Sequence, residues 1–267
     1  MATNKNTWEG NEAIQLASQV ILELDNINEL NIENWIFYND IDVMDFCAKP
    51  KKFTLLNEYI TEIYIFGYEY LLDKHFPMSV INSLTNILEF YRIDFSSVGE
   101  CEFLGSDDND LTGEEFEQVE DYAKDLFDFF IPKLSSVIVH ETFTILYMNK
   151  TFLFEFNSQL AEVIREFKVT NYPTQLKKDG VINRTYFPEW LKKGIKFRDR
   201  GRCQICGTDL TRIFQNDNAE NYDHIIPLEL HGSNDPTNIQ LTCEGCNKSK
   251  GARNTEFINS FSAFWNL

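Results

Sequence analysis

Residues 222–251, YDHIIPLELHGSNDPTNIQLTCEGCNKSKG, concentrate side chains that can bind a metal ion, accept a proton or orient a neighbouring group. A carboxylate beside an imidazole can support metal-assisted hydrolysis, and a pair of thiols can hold a structural ion. The segment therefore suits either a hydrolytic centre or a structural metal site with an unrelated histidine. Its candidate residues are Asp223, His224, Asn238, Asn247, Cys243 and Cys246.

Two Cys-x-x-Cys pairs lie 36 residues apart near the end of the chain, Cys203 with Cys206 and Cys243 with Cys246. Each pair can present two thiolates to one ion, and four sulfur ligands leave no coordination position open. A redox dithiol needs only one such pair and gives no reason for the second. The spacing therefore predicts a closed structural Zn²⁺ site, which contributes folding free energy to a small module.

The elements around the cysteines must position the other candidates. Residues 222–226, YDHII, read as a short strand that turns Asp223 and His224 to opposite faces, and Pro227 ends it. A loop and a short helix starting near the second cysteine pair would then bring Asn238 and Asn247 close to this strand. The sequence thus predicts that the four residues surround one point.

A second short helix is expected directly before the first cysteine pair. Pro188 suits the start of a helix and Gly201 its end, in the segment PEWLKKGIKFRDR. We expect Trp190 and Phe197 to be its apolar anchors.

The motifs CQIC, YDHIIPL, NDPTNIQLTCEGCN and KSKG together resemble those of the HNH endonuclease superfamily, the ββα-metal nucleases. The resemblance covers roughly residues 188–255. It implies a small zinc-stabilised ββα-metal domain that hydrolyses phosphodiester bonds. DNA is the implied substrate, and RNA is not excluded.

The resemblance also implies roles for single residues. His224 matches the general base that takes a proton from the attacking water, and Asp223 matches a carboxylate ligand of a divalent ion. Asn238 matches the asparagine that fixes the loop carrying the histidine and helps to orient it. Asn247 stands where the family has its last histidine, which makes this an H-N-N variant. Amide and carboxylate oxygens favour Mg²⁺ or Mn²⁺ over zinc as the catalytic ion.

Basic residues after the second cysteine pair are expected to hold phosphates without reading bases, although each also fits plain surface charge. These residues are Lys248, Lys250 and Arg253. We interpret His231 as an exposed loop histidine. The isolated His75, His140, Cys47 and Cys101 are expected to have no catalytic role.

The N-terminal two thirds show helical spacing far more often than strand alternation. Helices are predicted near residues 14–24, 54–74, 77–92, 112–131 with a capping box from Thr112 to Glu115, and 133–167 in one or two pieces. The fold class is mainly α. The expected domains are an acidic helical domain at 1–167, a linker at 168–187 and the HNH domain at 188–267.

Charge is distributed unevenly along the chain. The net charge is −18, yet residues 187–267 hold ten acidic and ten basic residues, whereas residues 1–186 hold 32 acidic against 14 basic ones. Basic residues cluster on both sides of the cysteine pairs and are expected to form two local basic patches. They are Lys192, Lys193, Lys196, Arg198, Arg200 and Arg202 before the first pair, and Lys248, Lys250 and Arg253 after the second. The acidic excess is expected to lie outside the nuclease module, where it would repel DNA or engage a protein partner.

No basic start followed by an apolar run opens the chain, and no apolar stretch approaches the roughly 18 to 20 residues of a membrane span. We therefore expect a cytoplasmic protein without a membrane partner.

Two hypotheses remain from the sequence. In one, the chain is a metal-dependent endonuclease restrained by its N-terminal domain or by a partner, as in effectors of bacterial anti-phage defence or restriction-type systems. In the other, it is a catalytically inactive zinc-containing interaction or nucleic-acid-binding protein.

Overall fold

The computed structural model describes residues 11–25, 31–105, 111–211 and 219–251. These residues form a mainly helical protein with two antiparallel strand pairs, which confirms the predicted fold class. The helices are α1 (Asn11–Asp25), α2 (Ile32–Tyr38), α3 (Val43–Cys47), α4 (Leu55–Asp73), α5 (Pro77–Phe90), α6 (Gly113–Phe130), α7 (Ser136–Met148), α8 (Lys150–Arg165), α9 (Glu189–Arg198) and α10 (Glu244–Lys250). The strands are β1 (Leu176–Lys178), β2 (Val181–Ile182), β3 (Glu220–His224) and β4 (Ile239–Cys243).

The chain divides into two compact units. The first unit is drawn from Met1–Val20 and Asn57–Ile145, and the second from Ile21–Leu56 and Leu146–Leu267. The division at residues 1–167, 168–187 and 188–267 stays a prediction, and the compact units follow different limits. The second unit takes in residues 21–56 and 146–167 together with the C-terminal region.

The first unit is built from apolar helix faces. Ile60 and Ile63 on α4 are fully buried, and their three-residue spacing places them on one helix face. Leu84 on α5 and Leu126 on α6 are fully buried as well. The side chain of Glu115 accepts a hydrogen bond from the backbone of Thr112 at 3.3 Å, which is one half of the predicted capping box.

Helix α6 continues into α7 through a π-helical turn at Ile131–Ser135. Pro132 has no N–H to donate, so the regular α-helical hydrogen bonding is interrupted at this turn. By length and composition alone, the run Gly113–Met148 could cross a membrane, a test that the core helix of a soluble protein also passes. The expected absence of a membrane partner stays a prediction.

In the second unit, α8 packs against α2 and against the short turn Pro236–Asn238. Phe152, Phe156 and Leu160 recur every four residues on the buried face of α8. The side chain of Asn149 accepts a hydrogen bond from the backbone N–H of Phe152 at 3.1 Å and so caps the start of this helix.

The C-terminal part of the second unit is a β-hairpin followed by a helix. Strands β3 and β4 are antiparallel, with Asp223 opposite Gln240 and His224 opposite Ile239, and α10 starts directly after β4. The apolar core under this ββα unit contains Leu191, Ile195, Ile239 and Leu241.

The anchors proposed for α9 were wrong. Phe197 is 82% exposed and Trp190 is 37% exposed, whereas Leu191 and Ile195 are buried. The buried face of this helix lies one residue further along, because Leu191, Ile195 and Arg198 share it at helical spacing.

The segment expected to be a linker forms the β1–β2 hairpin. Leu176, Val181 and Ile182 are buried. Gly180 has a φ of +66°, and a side-chain Cβ there would lie 2.8 Å from both Arg165 O and His231 Nδ1. Only glycine fits this turn without displacing its neighbours.

Candidate active site

The four cysteines meet at one point. Their Sγ atoms all lie within 4.8 Å of one another, and Cys206 Sγ is 3.8 Å from Cys243 Sγ. A tetrahedral ion with Zn–S bonds of about 2.3 Å separates its sulfur ligands by roughly 3.8 Å, so this distance fits zinc coordination. It is far longer than the roughly 2 Å of a disulfide bond, and all four thiols are free. The cluster is therefore a zinc-binding type of site.

Local backbone geometry presents these thiols. After Cys203 the chain turns back, since Gly207 N donates to Cys203 O and Cys203 N donates to Thr208 O, both at 2.9 Å. Cys243 ends β4 and caps α10, and Cys246 lies in the first turn of that helix. Partial burial raises the pKa of the Cys206 thiol, but hydrogen bonds with Thr208, Cys203 and Cys246 together outweigh it and bring the pKa to about 6. A thiolate ligand therefore forms readily at Cys206.

A separate open cavity of about 400 Å³ lies next to β3 and α10. Asp223 and His224 of β3 both line it, and Asn247 of α10 lines it as well. The predicted strand placed the first two side chains on opposite faces, but β3 ends at His224, where the chain leaves the sheet. The structure thus brings three of the four predicted catalytic residues to one cavity.

His224 is almost fully buried, at 3% exposure, and packs against the ring of Phe187 at a centroid distance of 5.4 Å. Its Nε2 lies 3.1 Å from Oδ1 of Asn234. Burial is the largest cause that lowers the pKa of His224; Arg184 and Lys250 also lower it, Asn234 and Asp223 raise it, and the resulting pKa is about 4. The imidazole is therefore neutral near pH 7, as a proton acceptor must be.

Asn238 lies behind the cavity and ties together the loop that follows His224. Its Oδ1 accepts from Ile226 N at 2.8 Å, and its Nδ2 donates to Ile226 O at 3.0 Å and to Ser233 O at 2.9 Å. A Cβ at Gly232 would lie only 1.8 Å from Ile226 O, so the loop closes this tightly because residue 232 is glycine. Asn238 contacts the loop and Asn234 contacts the imidazole.

Lys250 has a position unlike the one expected for a phosphate contact. Its side chain is fully buried, and its Nζ donates to Asp223 Oδ2 at 2.6 Å and to the backbone carbonyl of His224. The ammonium thus holds the end of β3 against α10. A role of Lys250 in binding nucleic acid stays a prediction.

Asp223 and Asn247 retain capacity for a cation. Among the described residues, Asp223 Oδ1 and the amide of Asn247 have no hydrogen-bond partner, and Asn247 is half-buried at the cavity. Oxygen donors of this kind suit Mg²⁺ or Mn²⁺. The donor set therefore fits a hard divalent ion, with Lys250 already neutralising part of the Asp223 charge.

The remaining predicted residues lie elsewhere. Lys248 is exposed and pairs with Glu244 on the surface of α10, and Arg253 lies outside the described residues. His231 Nδ1 is 2.8 Å from Gly180 O, so this half-buried histidine supports the β1–β2 hairpin and does not line the cavity.

Sequence reasoning missed Arg184 and Lys177, which line the cavity from the segment interpreted as a linker. Lys177 is paired with Glu229 at 2.9 Å, whereas Arg184 is exposed and has no ion pair within the described part of the chain. No motif marks either residue, because they reach the cavity through the packing of β2 against the turn Leu228–Leu230 and the pairing of Lys177 with Glu229.

A buried ionic cluster lies behind β4. Arg198 contacts both carboxylate oxygens of Asp199, at 2.8 and 3.2 Å, and Lys150 Nζ lies 3.0 Å from Oδ1. Asp199 Oδ2 also accepts from Leu241 N at 2.7 Å, and Arg198 donates to Ile239 O. The sequence placed Arg198 in a surface basic patch, which is wrong because its guanidinium is needed inside to pair with Asp199.

Comparisons with known proteins recognise part of the chain. The family model described as HNH endonuclease matches residues 203–253. Searches of curated proteins and of solved structures found no match. No family is recognised in the N-terminal region. The matched segment contains the four cysteines, the ββα unit and the cavity residues of β3 and α10. The C-terminal region of this chain is thus an HNH domain with a four-cysteine zinc-type site, which indicates a nuclease or nucleic-acid-related function.

Proposed function

We propose that the chain is a metal-dependent endonuclease that hydrolyses DNA phosphodiester bonds. The observation that carries this proposal is the meeting of Asp223, His224 and Asn247 at one open cavity of the HNH domain. A neutral imidazole, a carboxylate and an amide are the groups that water activation and a hard cation require.

His224 takes a proton from a water molecule, which attacks the phosphorus atom opposite the 3′ oxygen. The bond from phosphorus to that oxygen breaks, and solvent returns a proton to the leaving oxygen. Asp223 and Asn247 would hold Mg²⁺ or Mn²⁺, and the bound ion would supply positive charge for the developing anion. Lys250 keeps Asp223 and the end of β3 in place through its two hydrogen bonds.

Arg184 is the best placed described residue to hold a phosphate next to the reacting group. It lines the cavity, is exposed, and its charge acts on His224. A guanidinium pairs with phosphate oxygens through two parallel hydrogen bonds. Lys248 and Arg253 remain candidates for contacts further along the backbone of the nucleic acid.

Plasmid nicking tests the proposal. We expect the zinc-loaded wild-type chain to nick supercoiled DNA with Mg²⁺ or Mn²⁺, and His224→Ala to lose about 10²- to 10⁴-fold in rate because the proton acceptor is gone. His140→Ala, which removes an exposed histidine of the first unit, is the matched control and should keep full activity.

Equal nicking by wild type and His224→Ala would contradict the assigned base. Absence of cleavage by wild type in either metal, at every salt concentration tested, would favour the alternative of an inactive zinc-containing binding protein.

The setting we propose is the bacterial cytoplasm, in an anti-phage defence or restriction-type system. There the acidic N-terminal region would restrain the nuclease by repelling DNA until a trigger removes this restraint. The support is the charge distribution, since the whole excess of 18 acidic residues lies in residues 1–186. Such a region repels DNA over about 30 Å at 10 mM salt but only about 8 Å at 150 mM. In the nicking assay, the purified chain alone should therefore cleave DNA only weakly at 150 mM salt. Efficient cleavage by the isolated chain at that salt would remove the reason to propose a restraint.

A further inference from the structure

We infer that Asn234 is a positioning residue that fixes the tautomer and the ring orientation of His224. The inference deepens the proposed function and rests on it for its catalytic meaning. Asn234 directly precedes the acidic cap of the turn before β4, and no role was assigned to it from the sequence. It is completely buried, and its side chain contacts the imidazole.

The contacts of Asn234 determine which way its amide points. Nδ2 donates to Ala48 O at 3.0 Å and to Asn183 O at 2.9 Å. Both partners are carbonyl oxygens, which only accept hydrogen bonds, so both amide hydrogens are used there. Turning the amide over would place Oδ1 against two carbonyl oxygens. Oδ1 must therefore face His224.

The amide orientation in turn determines the tautomer of His224. Oδ1 accepts only, so His224 Nε2, 3.1 Å away, must carry the proton. A neutral imidazole has one N–H, which leaves the lone pair on Nδ1. Among the described residues, Nδ1 has no hydrogen-bond partner. Nδ1 is consequently the nitrogen that accepts a proton from water.

Asn234 is held from three places in the chain. Its backbone N–H donates to Cys47 O at 2.9 Å, at the C-terminal end of α3, and its side chain reaches Ala48 and Asn183. These three partners lie outside residues 203–253, the segment matched by the HNH family model. In this chain, the basic nitrogen of the site thus depends on elements far from the motif in sequence.

Nitrogen-15 NMR of the histidine side chains tests this directly. The full-length, zinc-loaded chain has four histidines, and His224→Ala identifies the signals of residue 224. We expect a protonated, pyrrole-type Nε2 and an unprotonated, pyridine-type Nδ1 at pH 7. A protonated Nδ1 in the wild type would overturn the inference, whatever any variant does.

The variant Asn234→Ala should shift His224 toward a mixture of tautomers and lower single-turnover nicking by about 10- to 100-fold, the usual loss when a group that orients a functional histidine is removed. Asn221→Ala is the matched control, since within the described residues the side-chain amide of Asn221 donates only to Ala219 O. Zinc content and thermal unfolding are measured for both variants. An Asn234→Ala chain that folds, binds zinc and keeps the wild-type tautomer and rate would overturn the inference.

The two proposals fail in different ways. If the wild type does not cleave DNA but has a protonated Nε2 on His224, the nuclease function is contradicted, and the role of Asn234 in setting the tautomer still holds. If the wild type cleaves DNA and has a protonated Nδ1 on His224, the role of Asn234 is contradicted, and the nuclease function still holds.

Discussion

The two compact units bury different kinds of side chain. In the described part of the chain, the first unit buries helix faces such as Leu84, Leu126 and Phe130, and its buried polar residues are Asn57 and Thr142. The other buried polar and charged residues belong to the second unit, among them Asp199, Asn234, Asp235 and Asn238. The first unit is held by apolar packing, and the second also by polar contacts.

This difference shows where structural specificity is needed. Apolar cores tolerate substitutions of similar volume. A buried polar group that lacks a hydrogen-bond partner lowers the stability of the fold by about 1 to 3 kcal/mol. In the second unit, these partners include backbone groups of the elements that hold the site. Asp235, for example, accepts from Leu55 N at 3.3 Å and from Thr237 N at 2.8 Å. The polar core therefore determines the positions of the loops around His224.

Loss of zinc should give the largest difference in stability between the two units. Structural Zn²⁺ contributes on the order of 10 kcal/mol as apparent binding free energy. Chelation, or Cys203→Ser, is expected to abolish hydrogen-exchange protection in β3, β4 and α10 and to leave α5 and α6 protected. Cys101→Ser, in the first unit, is the control. If the zinc-free chain kept full protection in β4, the cluster would not be needed for folding.

The ionic cluster behind β4 should give the next largest effect. Asp199→Asn leaves Lys150 and Arg198 buried beside a neutral amide, which should cost about 3 to 5 kcal/mol. Phe130→Ala should cost a similar amount in the first unit through a cavity. We expect denaturant unfolding to show both losses, and the histidine NMR signals of His224 to change only for Asp199→Asn. A cost below about 1 kcal/mol for Asp199→Asn would show that this pair does not support β4.

Sequence patterns predicted the features that depend on neighbours close in the chain. Helical spacing placed a helix at 54–74, where α4 covers Leu55–Asp73, and the run 133–167 forms the two helices α7 and α8. The HNH motifs and the two cysteine pairs identified the domain and its zinc-type cluster.

Features that depend on the folded environment of a residue could not be predicted from the sequence. Lys250 and Arg198 were interpreted as surface bases because charged residues are usually exposed. Lys250 is instead buried against Asp223, which is distant in the chain, and Arg198 is buried with the adjacent Asp199 because both contact the backbone of β4. The segment of the β1–β2 hairpin was interpreted as a linker because most of its residues are polar, although three apolar residues in it are buried. Asn234 carried no signal, since its amide meets Ala48 and Asn183 only in the folded chain.

The smallest expected effect is also found in the polar core, at Lys150. Asp199 pairs with two cations, and Arg198 takes both of its oxygens. Burial and the charge of Arg198 lower the pKa of Lys150, Asp199 raises it, and the resulting pKa is about 7. Lys150 is therefore the surplus cation, and Lys150→Met should change stability at pH 7 by no more than about 1 kcal/mol, or increase it.

The pH dependence of stability tests the role of Lys150 more sharply than its value at pH 7. The lysine pKa of about 7 in the folded chain is below its usual 10.5, so the unfolded chain binds more protons between these values. Stability of the wild type should rise with pH from 7 to 10.5 by up to about 1.4 kcal/mol per pH unit, and the contribution is flat below pH 7. Lys150→Met should remove this slope, whereas Lys193→Met on the exposed face of α9 should keep it. Parallel slopes in wild type and Lys150→Met, measured by denaturant unfolding at pH 7, 8 and 9, would mean that the buried ammonium stays charged and that Asp199 compensates both cations.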